Sequence, residues 1–280
     1  MNNFNLKKNI LEKAALCRHF EQNVYECVKK KIIKIPVYLS SGQEFIPSTL
    51  SEIILNNLKI KPLIFAQHRC HATYLSFGGD ITALIKELLG KKDGCSYGMG
   101  GSASIHSPKI NMYGHDGHMG TQVPIGIGAC FSSGKPTIVF LGDAAAEEDY
   151  VVGSLGWAST KNLPILFIVE DNNLSILTKK KVRRNWDIHK LAKSLNLNGL
   201  NITDSSDEII KHKSLFFKKP TLLNINTNRL FWHSGAGKDS DKTFDRYDFE
   251  IKKMGNIGKE IDLKIKKKID NLWKKQLEKQ

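Results

Sequence analysis

Pro136-Thr-Ile-Val-Phe-Leu141 runs into Gly142-Asp143-Ala144-Ala145, and Leu163-Pro-Ile-Leu-Phe-Ile-Val169 runs into Asp171-Asn172-Asn173-Leu174-Ser175. Both apolar runs are continuous rather than alternating, the pattern of strands covered on both faces. Between them, Glu147 to Thr160 has the length and spacing of a helix. Strand, helix, strand in that order is a βαβ unit, and its strands should be parallel. The pattern predicts an α/β fold, a mostly parallel sheet with helices on both faces.

Working outward, Thr221 to Thr227 reads as a third strand, after a helix around Asp207 to Phe217. Upstream, Ile10, Leu11, Ala14, Ala15, Phe20, Val24 and Val28 recur at helical spacing and predict a helix over about 6–31. A loop at Ser40 to Gln43 leads to a second helix through Ile53, Ile54 and Leu58. Lys61 to Ala66 is a short strand opening into Gln67-His68-Arg69-Cys70-His71. Asp80 to Leu89 is helical, with Asp80 as N-cap and Gly90 just past the end. Gly90 to Gly120 carries eight glycines and little periodicity, a loop long enough to suggest function. Gln122 to Ser132 is a helix of small residues, suited to close packing or an interface. From Phe244 to Gln280 the pattern is a charged helical tail that would cover a sheet edge. No repeat or linker interrupts residues 1–280, and one domain is expected.

Hydrophobic residues make up 41% and charged residues 25% of 280, as in soluble globular proteins. No apolar run approaches the roughly 20 residues of a membrane span, and the N-terminus has no apolar signal core. Cys17, Cys27, Cys70, Cys95 and Cys130 are scattered and form no C-x-x-C, so free thiols and a cytoplasmic setting are expected. The formal charge is +14, with ten lysines against four acids from Ile251 onward and a second cluster at Lys179-Lys180-Lys181-Val182-Arg183-Arg184. Both clusters read as solvated faces, because no zinc-finger spacing or aromatic RNA-binding pattern accompanies them. A non-enzymatic basic binding protein would leave Asp143 and Asn173 without a purpose. Membrane association is not expected.

In an open parallel sheet, ligands bind beyond the carboxyl ends of the strands. Asp143 and Asn173 follow the two core strands, 30 positions apart (173 minus 143). Close neighbouring strands would bring a carboxylate and an amide oxygen to one point. Singly, Gly-Asp and Asn-Asn are ordinary turn chemistry. Paired across one βαβ unit, they suggest a hard cation short of protein ligands, such as Mg²⁺ completed by substrate phosphates.

Gly142-Asp143 and the later Asn172-Asn173 resemble the thiamine-diphosphate-binding signature. More closely, the chain resembles the alpha subunit of the decarboxylase component of 2-oxo acid dehydrogenases (pyruvate, branched-chain and acetoin types). The matching runs are Arg18-His-Phe-Glu21, Ser41-Gly-Gln-Glu44, Arg69-Cys-His71, Gly98-Met-Gly-Gly-Ser102 with Ile105-His106, Gly120-Thr-Gln-Val-Pro-Ile-Gly126, Gly142-Asp143 with Glu147, Asn162-Leu-Pro164, Asp171-Asn-Asn173, and Thr227-Asn-Arg229 with His233-Ser234. They stand in family order. The resemblance implies a thiamine-diphosphate-binding fold, with Mg²⁺ held by Asp143, Asn173 and the Ser175 main-chain carbonyl. It implies that Arg69 and Arg229 pair with the diphosphate, beside the turn Gly142-Asp143-Ala144-Ala145. Met119 would meet the aminopyrimidine through its backbone. His233 would stand beside the reacting carbon as a catalytic residue, with His71 and then His106 as weaker candidates. It also implies a beta subunit that supplies the activating glutamate, a heterotetramer, and a lipoyl-bearing acyltransferase as acceptor.

Departures from the pattern are Ala144 in place of a glycine, His68 in place of an aromatic, and Gly235-Ala236-Gly237-Lys238 in place of a more acidic stretch. Ala144 fits if its φ is negative. Extra residues lie between Ser102 and His106, and one before Asn172. A subunit of a split transketolase or carboligase using the same cofactor is the alternative.

Overall fold

The computed structural model describes residues 3–235, 237–239 and 243–278. Met1, Asn2, Ala236 and the tail's last two residues, Lys279 and Gln280, lie outside the described residues. In chain order the helices are α1 (Asn3–Lys29), α2 (Phe45–Ser51, running into a π-helical segment Glu52–Asn57), α3 (His71–Ser76), α4 (Ile81–Leu88), α5 (Gln122–Ser133), α6 (Asp149–Thr160), α7 (Lys180–Arg183), α8 (Ile188–Ser194), α9 (Ser206–Lys211) and α10 (Arg246–Leu277). The strands are β1 (Leu63–Phe65), β2 (Met112–Tyr113), β3 (Thr137–Gly142), β4 (Ile165–Asp171), β5 (Leu174–Ser175), β6 (Thr178–Lys179), β7 (Asn198–Thr203) and β8 (Thr221–Asn226).

Six strands form one sheet in the order β2-β1-β3-β4-β8-β7, with every pairing parallel. Alternate residues of the central strands feed different cores. Ile138, Phe140, Leu166 and Ile168 pack with Phe20 and Val24 of α1. Val139, Leu141, Phe167 and Val169 pack with α5 and α6 through Val123, Ile127, Val151 and Leu155. Both faces are dry, which is why these strands are written as unbroken apolar runs. The chain leaves β1 outward to β2, then returns to β3 on β1's other side, so the sheet order reverses between β1 and β3. A ligand crevice is expected at such a reversal.

The predicted caps are present. Asp80 accepts a hydrogen bond from Ala83 N at 2.8 Å, and Gly90 has φ +68° just beyond α4. Four features differ from the sequence expectations. β7 lies in Asn-Gly-Leu-Asn-Ile-Thr, an edge strand paired only with β8 and too polar to read as one. β2 is a two-residue edge strand inside the glycine-rich stretch. The helix expected over Asp207 to Phe217 ends at Lys211, and Phe217 has φ +61°, which no helix accommodates. The tail helix α10 packs along α1 and touches α4 instead of covering a sheet edge. Ile261, Ile269 and Trp273 face inward, with the Trp273 ring 5.4 Å from Phe20. The described lysines after Ile251 are all exposed, so the basic tail is the solvated back of this helix.

One buried carboxylate organises the glycine-rich stretch. Glu87 of α4 is fully buried, and its Oε2 accepts from Ser96 N (2.7 Å) and Gly98 N (2.9 Å). Its Oε1 accepts from Gly100 N (2.9 Å) and Gly101 N (3.0 Å). Gly98 and Gly101 have φ +72° and +58°, and a Cβ on Gly98 would lie 2.7 Å from Lys91 O. Glycine there lets the backbone wrap the carboxylate. Hydrogen bonds to a charged group contribute about 1.5–3 kcal/mol each and are not additive. Glu87→Ala should therefore cost on the order of 3 kcal/mol in urea unfolding and open residues 95–104 to proteolysis. Unchanged stability and an intact loop would show that the loop is ordered by something else.

Candidate active site

The carboxyl ends of β1, β3 and β4, with the loop after β8, surround a cavity of about 270 Å³. β1 delivers Gln67, His68 and Arg69; β3 delivers Gly142, Asp143, Ala144 and Ala145; β4 delivers Asn172 and, through the β5–β6 hairpin, Leu174 and Ser175. Arg229 and His233 come from beyond β8, and His115, Met119 and Gly120 close the opposite wall. Gly120 has φ +89°, and a Cβ there would lie 2.7 Å from Val151 Cγ2, so only glycine lets this wall approach α6.

Asp143 is 1% exposed. Burial pushes its carboxyl up to about 6, the nearby Asp171 adds to the rise, and Arg183 and Arg184 oppose it. Arg183 donates from Nη2 to Asp143 Oδ2 (2.5 Å), from Nε to Glu147 Oε1 (3.1 Å) and from Nη1 to Thr178 O (2.6 Å). Arg184 donates from Nη1 to the Asp143 carbonyl (2.9 Å) and lies 3.2 Å from Glu147 Oε1. Lys180 pairs with the buried Asp171. Three members of the Lys179–Arg184 cluster are thus counter-charges to acids of the site. The expectation of a plain solvated face fails because these side chains turn inward toward carboxylates that the linear sequence gives no sign of being buried.

Arg69 and Arg229 are 4% and 3% exposed. Burial, and then repulsion from Arg229, lowers Arg69 to about 10, still protonated at neutral pH. Arg69 donates to Leu39 O (2.6 Å) and His233 O (3.2 Å). Arg229 donates from Nε to Asp239 (2.5 Å) and from Nη2 to Ile176 O (2.9 Å). Two buried guanidinium groups repelling one another beside a cavity suit an anion. His233 lies on the wall, its ring 5.2 Å from His68 and 5.4 Å from Tyr38. Burial and the two arginines lower its pKa, so the imidazole is neutral. Met119 is also on the wall, and its carbonyl accepts from the Tyr150 hydroxyl.

Two expected site residues are placed elsewhere. Asn173 is exposed, has φ +65°, and does not line the cavity, whereas Asn172 does. β4 pairs through Asp171 with Asn226, so Asn172 is the first residue beyond the strand, and its Oδ1 accepts from Leu174 N (3.1 Å). His71 is fully buried and away from the cavity, bonded through Nδ1 to Glu21 (3.1 Å) and through Nε2 to Ser102 Oγ (2.9 Å). Both ring nitrogens are occupied in tying α1 to the glycine-rich loop, a structural role. His106 is exposed and stacks edgewise on Tyr113. Sequence reasoning passed over Gln67, His115, Gln122 and Arg183 as site residues. Only Arg183, in its basic cluster, carried a signal that could have been followed.

The profile of the family described as "Dehydrogenase E1 component" matches residues 12–254. The chain is 27% identical to the mitochondrial pyruvate dehydrogenase E1 component subunit alpha-1 of Oryza sativa subsp. japonica, over 79% of this chain and 58% of that protein. It is 28% identical to the pyruvate dehydrogenase E1 component subunit alpha of Rickettsia bellii, over 94% of this chain and 87% of that protein. The chain thus spans little more than half the length of the plant relative. Among solved structures it resembles a transketolase from Leishmania mexicana with TM-score 0.60 and 13% identity, over 96% of this chain and 46% of the other, a likeness of fold.

Asp143 gives this site a pH signature. Its pKa is raised on folding from 3.8 to about 6, so its contribution to stability is full below the unfolded value and lost as pH rises through the folded one. Thermal unfolding of the free chain should lose less stability between about pH 4 and pH 7 in Asp143→Asn than in the parent. Parallel curves would mean that Asp143 titrates normally.

Proposed function

The chain belongs to the dehydrogenase E1 component family, and from that premise we propose that it is the alpha-type subunit of a thiamine-diphosphate- and Mg²⁺-dependent 2-oxo acid decarboxylase. The observation that supports this best is the meeting of Asp143, Asn172, Arg69 and Arg229 around one cavity at the reversal of a parallel sheet. The residues fit the cofactor. Arg69 and Arg229 would take the diphosphate. Ala144 has φ −73°, so its Cβ is no obstacle to the turn. Asp143, Asn172 in place of Asn173, and the Ser175 carbonyl would hold the cation. Among the described residues no three His, Cys, Asp or Glu side chains gather to hold a metal, so water and the diphosphate would complete its shell. Arg183, which donates to Asp143 Oδ2, would give up that bond to a bound cation.

Once bound, thiamine diphosphate supplies the electron sink that makes loss of CO₂ from a 2-oxo acid possible. The chain orients the cofactor and excludes water. Neutral His233, on the cavity wall, would hold or move a proton at its ring nitrogen.

A separate beta subunit would bring the activating glutamate. Ile125 and Phe131 of α5 and Trp157 of α6 are exposed at 51%, 54% and 41%, and the rings of Phe131 and Trp157 meet edge-on at 5.0 Å. Gly128 and Gly153 leave open space between them and whatever docks. An apolar, small-residue face of this kind suits a subunit contact, and we assign the beta subunit to it. The acyl group would pass to a lipoyl-bearing acyltransferase. A single thiamine-diphosphate-binding domain in a reducing, cytoplasmic setting fits five free cysteines.

Calorimetric titration of thiamine diphosphate with Mg²⁺ should show binding to the chain in complex with its beta subunit. Asp143→Ala should abolish that binding, and Arg229→Ala should weaken it about tenfold or more, the effect of losing a charged hydrogen bond. The chain without a beta subunit should not decarboxylate a 2-oxo acid. Absent binding in the complex, or activity of the isolated chain, would overturn the assignment.

A further inference from the structure

We propose that His115, with His68, forms an oxyanion-binding subsite in the cavity, deepening the function proposed above. His115 comes from the glycine-rich stretch, is 5% exposed and lines the cavity. Gly117 N–H donates to its Nδ1 at 3.0 Å. The lone pair is therefore on Nδ1 and the proton on Nε2. That Nε2–H is buried and has no hydrogen-bond partner. The His68 ring stands 5.9 Å from His115 and 5.2 Å from His233, and both its nitrogens are likewise buried without partners. Burial, and then Arg69, lowers the His68 pKa to about 2, and burial lowers that of His115, so both rings are neutral.

An unpartnered buried polar group costs about 1–3 kcal/mol, so a cluster of them calls for a ligand. The charge balance selects its class. The acceptors nearby are committed: Asp239 to Arg229, Glu170 to Gln67, and Asp143 to Arg183. Among the described cavity residues the unpartnered buried side-chain acceptor, apart from the imidazoles, is Gln122 Oε1. Two guanidinium groups, Arg69 and Arg229, line the same cavity, and of the two Arg229 is ion-paired, to Asp239, so the charge there calls for an anion. A carboxylate or a phosphate oxygen answers both conditions: the first would be the 2-oxo acid's carboxylate, the second a phosphate of the cofactor.

The test uses oxalate and inorganic pyrophosphate as probes, titrated calorimetrically into the full chain, with thiamine diphosphate and Mg²⁺ titrated alongside. His115→Asn keeps an acceptor where Nδ1 meets Gly117 but removes the Nε2 donor, whereas His115→Gln places an N–H near Nε2. His68→Phe keeps the ring and removes both nitrogens. The expected result is that His115→Asn and His68→Phe weaken one probe about tenfold, while His115→Gln stays within about threefold. A loss confined to oxalate assigns the subsite to the substrate carboxylate, and a loss of pyrophosphate assigns it to the cofactor. Equal affinity in parent and variants, or no binding of either probe to the parent, overturns the subsite. Probe binding without thiamine diphosphate binding, in the presence of the beta subunit, would overturn the cofactor assignment and leave the subsite standing.

Discussion

The parallel pairing of β3 with β4, Gly142 opposite Glu170, is the constraint on which the rest of this molecule depends. Because the two strands end level, the residues that follow them emerge side by side. Asp143 and Asn172 reach one cavity although 29 positions (172 minus 143) separate them. The strands hold that register because both faces are buried, and a one-residue slip would exchange the residues meant for α1 with those meant for α5 and α6. The reversal of strand order between β1 and β3 adds Arg69 from a third strand end. The crevice is a consequence of topology, and its polar lining is added by whichever residues happen to follow each strand.

Collecting acids and bases in so dry a place creates an electrostatic problem, which the chain solves internally. Asp143, Asp171 and Glu147 are balanced by Arg183, Lys180 and Arg184 from one short segment. Arg229 is balanced by Asp239. Among the described residues, Arg69 donates to carbonyls alone, those of Leu39 and His233. The site is thus neutralised around Asp143 and left more positive around Arg69 and Arg229. A buried charge without a counter-charge is costly, and the two guanidinium groups make that end of the cavity suited to an anion.

The glycine-rich stretch shows a different solution to the same problem of buried polarity. Its many backbone N–H groups have no strand or helix to pair with, and Glu87 accepts four of them. His71 ties the same loop to α1 through Ser102. That loop returns toward the cavity carrying His115 and Met119. Ser104 of the same loop donates from Oγ to the His115 carbonyl, which connects the segment wrapped around Glu87 to the cavity wall.

The sequence by itself determined the βαβ core, the helices at either end, the cap at Asp80, and the place of Asp143, Arg69, Arg229 and His233. These could be read because continuous apolar runs, helical periodicity and local capping are properties of neighbouring residues, and because the family motifs stand in order. Tertiary structure alone decided that β7 is a strand, since an edge strand with one partner needs little apolar content. It alone put Asn172 on the cavity wall and left Asn173 exposed, because β4 pairs with β8 as far as Asp171. It alone made His71 structural and turned Arg183 inward, because burial and partners 50 or 40 positions away in the chain are not written in local pattern. Spacing along the chain reports which elements form; which side chains face the cavity is fixed only when those elements pack.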